Sequence, residues 1–203
     1  MHISEGVLSG PVLASGIALT AAGTAVGLKK LDYDQIAKAG ILSAAFFVAS
    51  LIHVPIGPSS VHLILNGVVG LLLGWGAVPT ILTALLLQAM LFQFGGITTL
   101  GVNTVIMAVP AILCYFLFGR LIEKNKAVAM AGAFAIGFFS VLLAGVIAAA
   151  ALMFTEKNFL EIAGLILAAH FPVMIIEGIV TAFCVAFLKK VQPELLSSRQ
   201  IQS

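Results

Sequence analysis

The sequence predicts an all-α membrane protein, a polytopic bundle of seven transmembrane helices in a single domain over residues 1–203. Three observations carry that prediction. Of the 203 residues, 61% are hydrophobic and only 9% charged, whereas a soluble domain carries about 25% charged residues. That fraction cannot cover a water-facing surface, which excludes a soluble enzyme. The apolar residues fall into seven stretches of helical length, and a spanning helix needs about 20 such residues. Almost nothing is left over for an extramembrane domain. Finally, Lys and Arg concentrate in alternate connections, the pattern that orients a multispanning chain.

The predicted spans run from Leu8 to Leu28, Ile36 to Ile52, Val61 to Trp75, Pro79 to Phe92, Val102 to Phe118, Ala127 to Phe154 and Phe159 to Leu188. The third and fourth meet at Gly74-Trp75-Gly76-Ala77-Val78-Pro79, which reads as a tight turn. Taken as one helix, Val61 to Phe92 would extend about 48 Å at 1.5 Å per residue, so two spans are expected. Ala14, Ala18 and Ala22 form a small-residue stripe on the first helix, expected to serve close packing inside the bundle.

Orientation follows from the basic residues. Lys29, Lys30 and Lys38, then Arg120, Lys124 and Lys126, then Lys189, Lys190 and Arg199 fall on one side, with only Lys157 on the other. The positive-inside rule places Met1 outside and Ser203 in the cytoplasm. Met1 to Gly10 contains Glu5 and no Lys or Arg, unlike the basic start of a secretory signal, so the N-terminus is expected to persist. Cys114 and Cys184 lie within spans and form no disulfide or thiolate motif. No phosphate-binding G-x-x-x-x-G-K-[ST] loop occurs, so the chain is not expected to hydrolyse ATP, to act as an enzyme or to engage nucleic acid.

The chemistry then rests on neutral nitrogens. His53 ends the second span and His62 starts the third, both near the outer face. Met1 and His2 are joined to the first span by about six residues, which reach roughly 20 Å at about 3.3 Å each. The N-terminus can therefore meet His62 across the bundle mouth. The Met1 α-amine, the His2 amide nitrogen and His2 Nδ1 can chelate one ion in adjacent five- and six-membered rings. Planar nitrogen coordination suits Ni(II) or Cu(II), and His62 is the expected fourth donor. His53 is a weaker candidate, read as an interface anchor. Asn66, one turn beyond His62, is read either as orienting its imidazole or as an interhelical bond.

His170 and Glu177 lie two turns apart in the last span, where ionisable groups are expensive. A proton relay, a second metal site and a structural pair near Pro172 all fit, the last best. A proton-coupled secondary transporter using these two residues is the alternative function. Gln88, Gln93 and Asn103 flank the glycine-rich stretch Phe94 to Gly101, readable as a lid or as a simple turn.

Three segments carry a family resemblance: Met1-His2-Ile3-Ser4-Glu5-Gly6, Pro58-Ser59-Ser60-Val61-His62-Leu63, and His170-Phe171-Pro172-Val173-Met174-Ile175-Ile176-Glu177-Gly178. Over essentially its whole length the chain resembles the nickel/cobalt-specific substrate-binding (S component) membrane subunits of energy-coupling factor transporters, the NikM/CbiM family. The resemblance implies seven helices, an N-terminus tucked into the bundle mouth, and one Ni(II) or Co(II) ion as substrate, with no organic cofactor. Its ligands would be Met1, His2 and His62. It further implies a prokaryotic plasma or inner membrane, a transmembrane coupling subunit, two ATP-binding cassette (ABC-type) ATPase subunits and room for a small additional membrane subunit. Nickel is preferred over cobalt on the planar donor set, cobalt being the alternative that feeds cobalamin synthesis. His170 and Glu177 match the family pattern, and the resemblance leaves their role open.

Overall fold

The computed structural model describes residues 2–51, 53–56, 59–156 and 160–196. Helix α1 (Gly10–Lys30) begins with Pro11 in its first turn and ends on Lys29 and Lys30, the arrangement that a fixed proline φ and the helix dipole both favour. Helix α2 (Tyr33–Ala49) follows at once. The chain then forms an antiparallel hairpin, β1 (His53–Ile56) and β2 (Ser59–His62), in which His53 pairs with His62. Helix α3 (Asn66–Leu73) is joined through a single 3-10 turn, Gly74–Gly76, to α4 (Ala77–Phe92). Helix α5 (Leu100–Phe118), a 3-10 turn at Gly119–Glu123, α6 (Lys126–Thr155) and α7 (Leu160–Val191) complete the bundle.

Six of the seven predicted stretches coincide with helices to within a few residues. The third does not. Its first residues are the β2 strand and an irregular link, and its helix, α3, is eight residues long, about 12 Å at 1.5 Å per residue. Hydropathy reports a low-dielectric surrounding rather than a helix, and non-helical backbone is tolerated at such depth where protein rather than lipid surrounds it. Among the described residues, five stretches are long and apolar enough to cross a bilayer: Gly10–Lys30, Asn66–Phe92, Leu100–Glu123, Lys126–Thr155 and Gly164–Val191. The expected seven would need two additions. One is α2, with 17 residues including Asp34 and Lys38. The other is a division of residues 66–92 at Gly74.

Helix α3 sits at the centre, with all but one of its residues buried. Ile64, Val69, Ile81, Ile106, Val141 and Ile166 join one apolar cluster linking it to the helices around it. Outward-facing side chains are also apolar, with Ile41 72%, Phe154 82% and Phe183 72% exposed. Such a surface is compatible with hydrocarbon and not with water.

Helix α1 meets α5 backbone to backbone. A Cβ at Gly16 would lie 2.7 Å from Val102 N, and one at Gly101 would lie 2.8 Å from Ile17 N. The Thr20 hydroxyl donates to Gly101 O at 2.7 Å across the same contact. The packing face of α1 is thus Gly16, Thr20 and Gly27. Ala14, Ala18 and Ala22, expected to pack inside, are exposed instead, because glycine permits an approach that alanine does not. At the end of the bundle distal to the N-terminal segment, Lys189 Nζ donates to Lys124 O at 3.2 Å, which brings two basic clusters together.

Candidate metal centre

His2 is buried although it lies near the end of the chain, and Ile3 beside it is fully buried. The side chain of Asn103 on α5 holds this segment as a strand partner would. Ile3 N–H donates to Asn103 Oδ1 at 2.9 Å, and Asn103 Nδ2 donates to Ile3 O at 3.1 Å. One turn earlier, Thr99 Oγ1 takes a second Nδ2 bond at 3.2 Å. Further along, Glu5 N–H donates to Gly95 O at 2.9 Å. Thr98 returns two bonds to Glu5 Oε1, from its N–H at 2.9 Å and its hydroxyl at 3.2 Å. The glycine-rich stretch after α4 therefore clasps the N-terminal segment. Gln93 caps α4 in a left-handed conformation.

So held, His2 meets His62. His2 Nδ1 and His62 Nε2 lie 3.0 Å apart, with ring centroids at 4.6 Å. The hydrogen positions follow from the partners. Ser50 Oγ donates to the carbonyl of Phe47 at 2.9 Å, so it must accept from Gln88 Nε2, at 2.5 Å. That leaves Gln88 Oε1 facing His2 Nε2 at 2.7 Å. An amide oxygen only accepts, hence His2 carries its hydrogen on Nε2 and a lone pair on Nδ1. By the same reasoning His62 Nδ1 donates to Leu63 O at 2.7 Å, and its Nε2 carries a lone pair. With both rings neutral, two lone pairs thus face the same 3.0 Å gap in a buried site, which one proton or one metal ion can bridge.

Opposed lone pairs repel until a cation lies at their apex. Imidazole nitrogens bind a first-row metal at about 2.0–2.1 Å, and two of them at a right angle lie about 2.9 Å apart. The observed separation matches two adjacent ligands of one ion. The outer nitrogens meanwhile make the hydrogen bonds, to a carbonyl and to an amide oxygen, that usually accompany ligation. Among the described residues no group of three or more His, Cys, Asp and Glu gathers anywhere, so further donors would have to come from other atoms.

The remaining candidates fall elsewhere. Met1 lies outside the described residues. His53 is described only as a strand residue opposite His62. Asn66 does not orient the His62 imidazole, a task taken by Leu63 O. Its Nδ2 donates to Met107 O at 3.1 Å, and its Oδ1 accepts from Ser140 Oγ at 3.1 Å, which is the interhelical alternative. His170 and Glu177 are committed to different partners. His170 Nδ1 donates to Ile166 O at 2.7 Å, and Glu177 Oε1 accepts from Ile64 N–H and from Leu65 N–H, the latter at 2.8 Å.

Gln88, Ser50 and Asn103 support the site, although the sequence reading had at most placed them beside it. Each lies 38 to 100 residues from its partner, and no spacing rule reaches that far. The available signal was an amide at mid-helix in an apolar run, since such a group must find a partner.

Comparison with known proteins places the chain among metal transport proteins. The family model for the CbiM cobalt uptake substrate-specific transmembrane region matches residues 2–195. A Haemophilus influenzae protein, provisionally named a metal transport protein, is 42% identical, over 97% of both chains. The fused nickel transport protein NikMN of Rhodobacter capsulatus is 33% identical over 98% of this chain and 65% of its own length. The cobalt transport protein CbiM of Sorangium cellulosum is 29% identical over 99% and 96%. A crystal structure described as a transition metal transporter superposes with a TM-score of 0.78 at 27% identity, covering 100% of this chain and 97% of that one. With its buried histidine pair, its apolar exterior and these relatives, the chain belongs to the CbiM family of cobalt uptake substrate-specific transmembrane regions.

Proposed function

We propose that this chain is the substrate-specific membrane subunit of an ATP-driven, energy-coupling factor type uptake transporter, and that its substrate is Ni(II), with Co(II) the alternative. The observation that carries the reading is the 3.0 Å approach of His2 Nδ1 and His62 Nε2, each with its other nitrogen donating. The substrate is held by the Met1 amine, the His2 amide nitrogen and Nδ1, and His62 Nε2. In a planar chelate built from residues 1 and 2, the fourth position adjoins His2 Nδ1, and the 3.0 Å separation of His62 Nε2 from that atom supports His62 as its occupant. A d8 ion gains most from four planar nitrogens, hence the preference for nickel; the named relatives include both nickel and cobalt proteins.

The basic end of the bundle faces the cytoplasm of a prokaryotic cell by the positive-inside rule, and the N-terminal clasp faces outward. ATP hydrolysis belongs to two cassette-type partner subunits acting through a transmembrane coupling subunit. The N-terminal segment closes over the ion as a plug, and the partners release the ion inward by reorienting the bundle.

Calorimetry on protein beginning at Met1 tests the site. One Ni(II) per chain is expected, bound more tightly than Co(II). Affinity falls as pH drops below about 7.7–8.0, the ordinary pKa range of the α-amine, because the amine must lose its proton to bind. Outer partners of a ligand are commonly worth about 10–100-fold in metal affinity, so His62→Ala is expected to cost more than that. Unchanged affinity in His62→Ala, or in protein with one residue added ahead of Met1, would refute the ligand set.

A further inference from the structure

Between β2 and α3 the chain runs through Leu63, Ile64 and Leu65 with no helix or ladder to take up its N–H groups. In a membrane interior such groups must be satisfied by the protein itself. Leu65 also holds φ +59, a left-handed conformation that a branched aliphatic residue rarely adopts. Something outside the segment must therefore hold it. Both Ile64 N–H and Leu65 N–H donate to a single oxygen, Oε1 of Glu177. That carboxylate comes from the middle of α7 and is fully buried.

Glu177 reaches this place because α7 packs closely on α6. A Cβ at Gly137 would lie 2.7 Å from the carbonyl carbon of Glu177, and closer still to its oxygen. The next residue of the segment, Asn66, is tied to Met107 O and to Ser140. The segment that follows His62 is thus tethered successively to α7, α5 and α6. Its first carbonyl, that of Leu63, is the group that orients the His62 ring.

From this geometry we infer that Glu177 is a positioning residue for the metal centre: by gripping the Ile64 and Leu65 amides it fixes the turn that sets where His62 Nε2 stands. The inference rests on the ligand assignment proposed above. It also gives the buried carboxylate a task that neither a proton relay nor a pairing with His170 requires. Only Oε1 makes these bonds, and Oε2 has no hydrogen-bond partner among the described residues. A glutamine in its place keeps the essential acceptor. An aspartate keeps the carboxyl group but is one methylene too short to reach both amides from the same backbone.

The test is the visible absorption of bound Ni(II) at saturating metal, recorded with its affinity on folded protein isolated by size exclusion. Planar nickel that exchanges an imidazole for water absorbs at longer wavelength, so His62→Ala defines the displaced band. Glu177→Asp and Glu177→Ala are expected to move toward that band and to lose about 10–100-fold in affinity, as outer partners of ligands do. Glu177→Gln is expected to retain the wild-type band. Should Glu177→Ala fail to accumulate, Glu177→Asp decides. A lower unfolding temperature with an unmoved band in Glu177→Asp would show a merely structural role and overturn the inference, provided His62→Ala is displaced. An unmoved band in His62→Ala itself would overturn the ligand assignment and the positioning role together.

Discussion

Gln88 can receive the Nε2–H of His2 at 2.7 Å because its own NH2 is committed to Ser50 at 2.5 Å, and Ser50 in turn to a backbone carbonyl. Followed from the Phe47 carbonyl through Ser50 and Gln88, the bonds as they stand leave the lone pair of His2 on Nδ1. Removing the middle of this chain frees the imidazole to adopt the other tautomer. Gln88→Ala is therefore expected to weaken Ni(II) binding by about 10–100-fold, and Ser50→Ala by less, since Gln88 could keep its orientation without it. Calorimetry on both variants would check the order. Equal affinities for Gln88→Ala and wild type would mean that the amide does not set the tautomer. At this scale the sequence was legible where chemistry alone suffices, at His2 and His62. It was not legible at Gln88, Ser50, Asn103 and Glu177, whose roles depend on which atoms the fold brings opposite them.

The element that decides the site is the hairpin with its link to α3, and it is also the one that sequence periodicity misread. Val61, Leu63, Ile64 and Leu65 are as apolar as any helix start, so hydropathy extended the third span across them. Strand, link and helix share the same burial and differ only in where their amides go. The long uninterrupted runs behind α1, α5, α6 and α7 left no such ambiguity. Facing the hairpin, the stretch after α4 binds Glu5 through Thr98, and the bonds from the Thr98 N–H and hydroxyl hold the Glu5 carboxyl below its ordinary pKa. A lowered folded-state value means that this contact is at full strength above the ordinary carboxylate range, about 4.3, and is lost as pH falls through the lowered value. Protection of the Thr98 amide against exchange, taken relative to the intrinsic rate at each pH, is thus expected to be constant from pH 8 to about pH 5 and to fall only in stronger acid. Glu5→Gln should already show the lower protection between pH 8 and about pH 5. A protection factor that falls near neutrality would place the control of this clasp elsewhere.

Across the whole molecule, the contacts that build the centre join residues 60, 86, 100 and 113 positions apart. A ligand that binds only the folded state adds stability by mass action, about 2.7 kcal/mol at a free concentration of 100 times its dissociation constant. Ni(II) is accordingly expected to raise the unfolding temperature of the wild-type protein and to leave that of His62→Ala unmoved. A rise of equal size in both would place the stabilising ion at another site.

The same separations bear on how the protein is made. His2 and Ile3 are the first described residues to leave the ribosome, yet the partners that fix them, Gln88 and Asn103, emerge 86 and 100 residues later, and Glu177, which grips the segment after His62, later still. Pairings of such long range close late, after the local helices have formed. The segment of His2 and Ile3 can be seated only once α4 and α5 are there to receive it, and an intact binding site reports that they are.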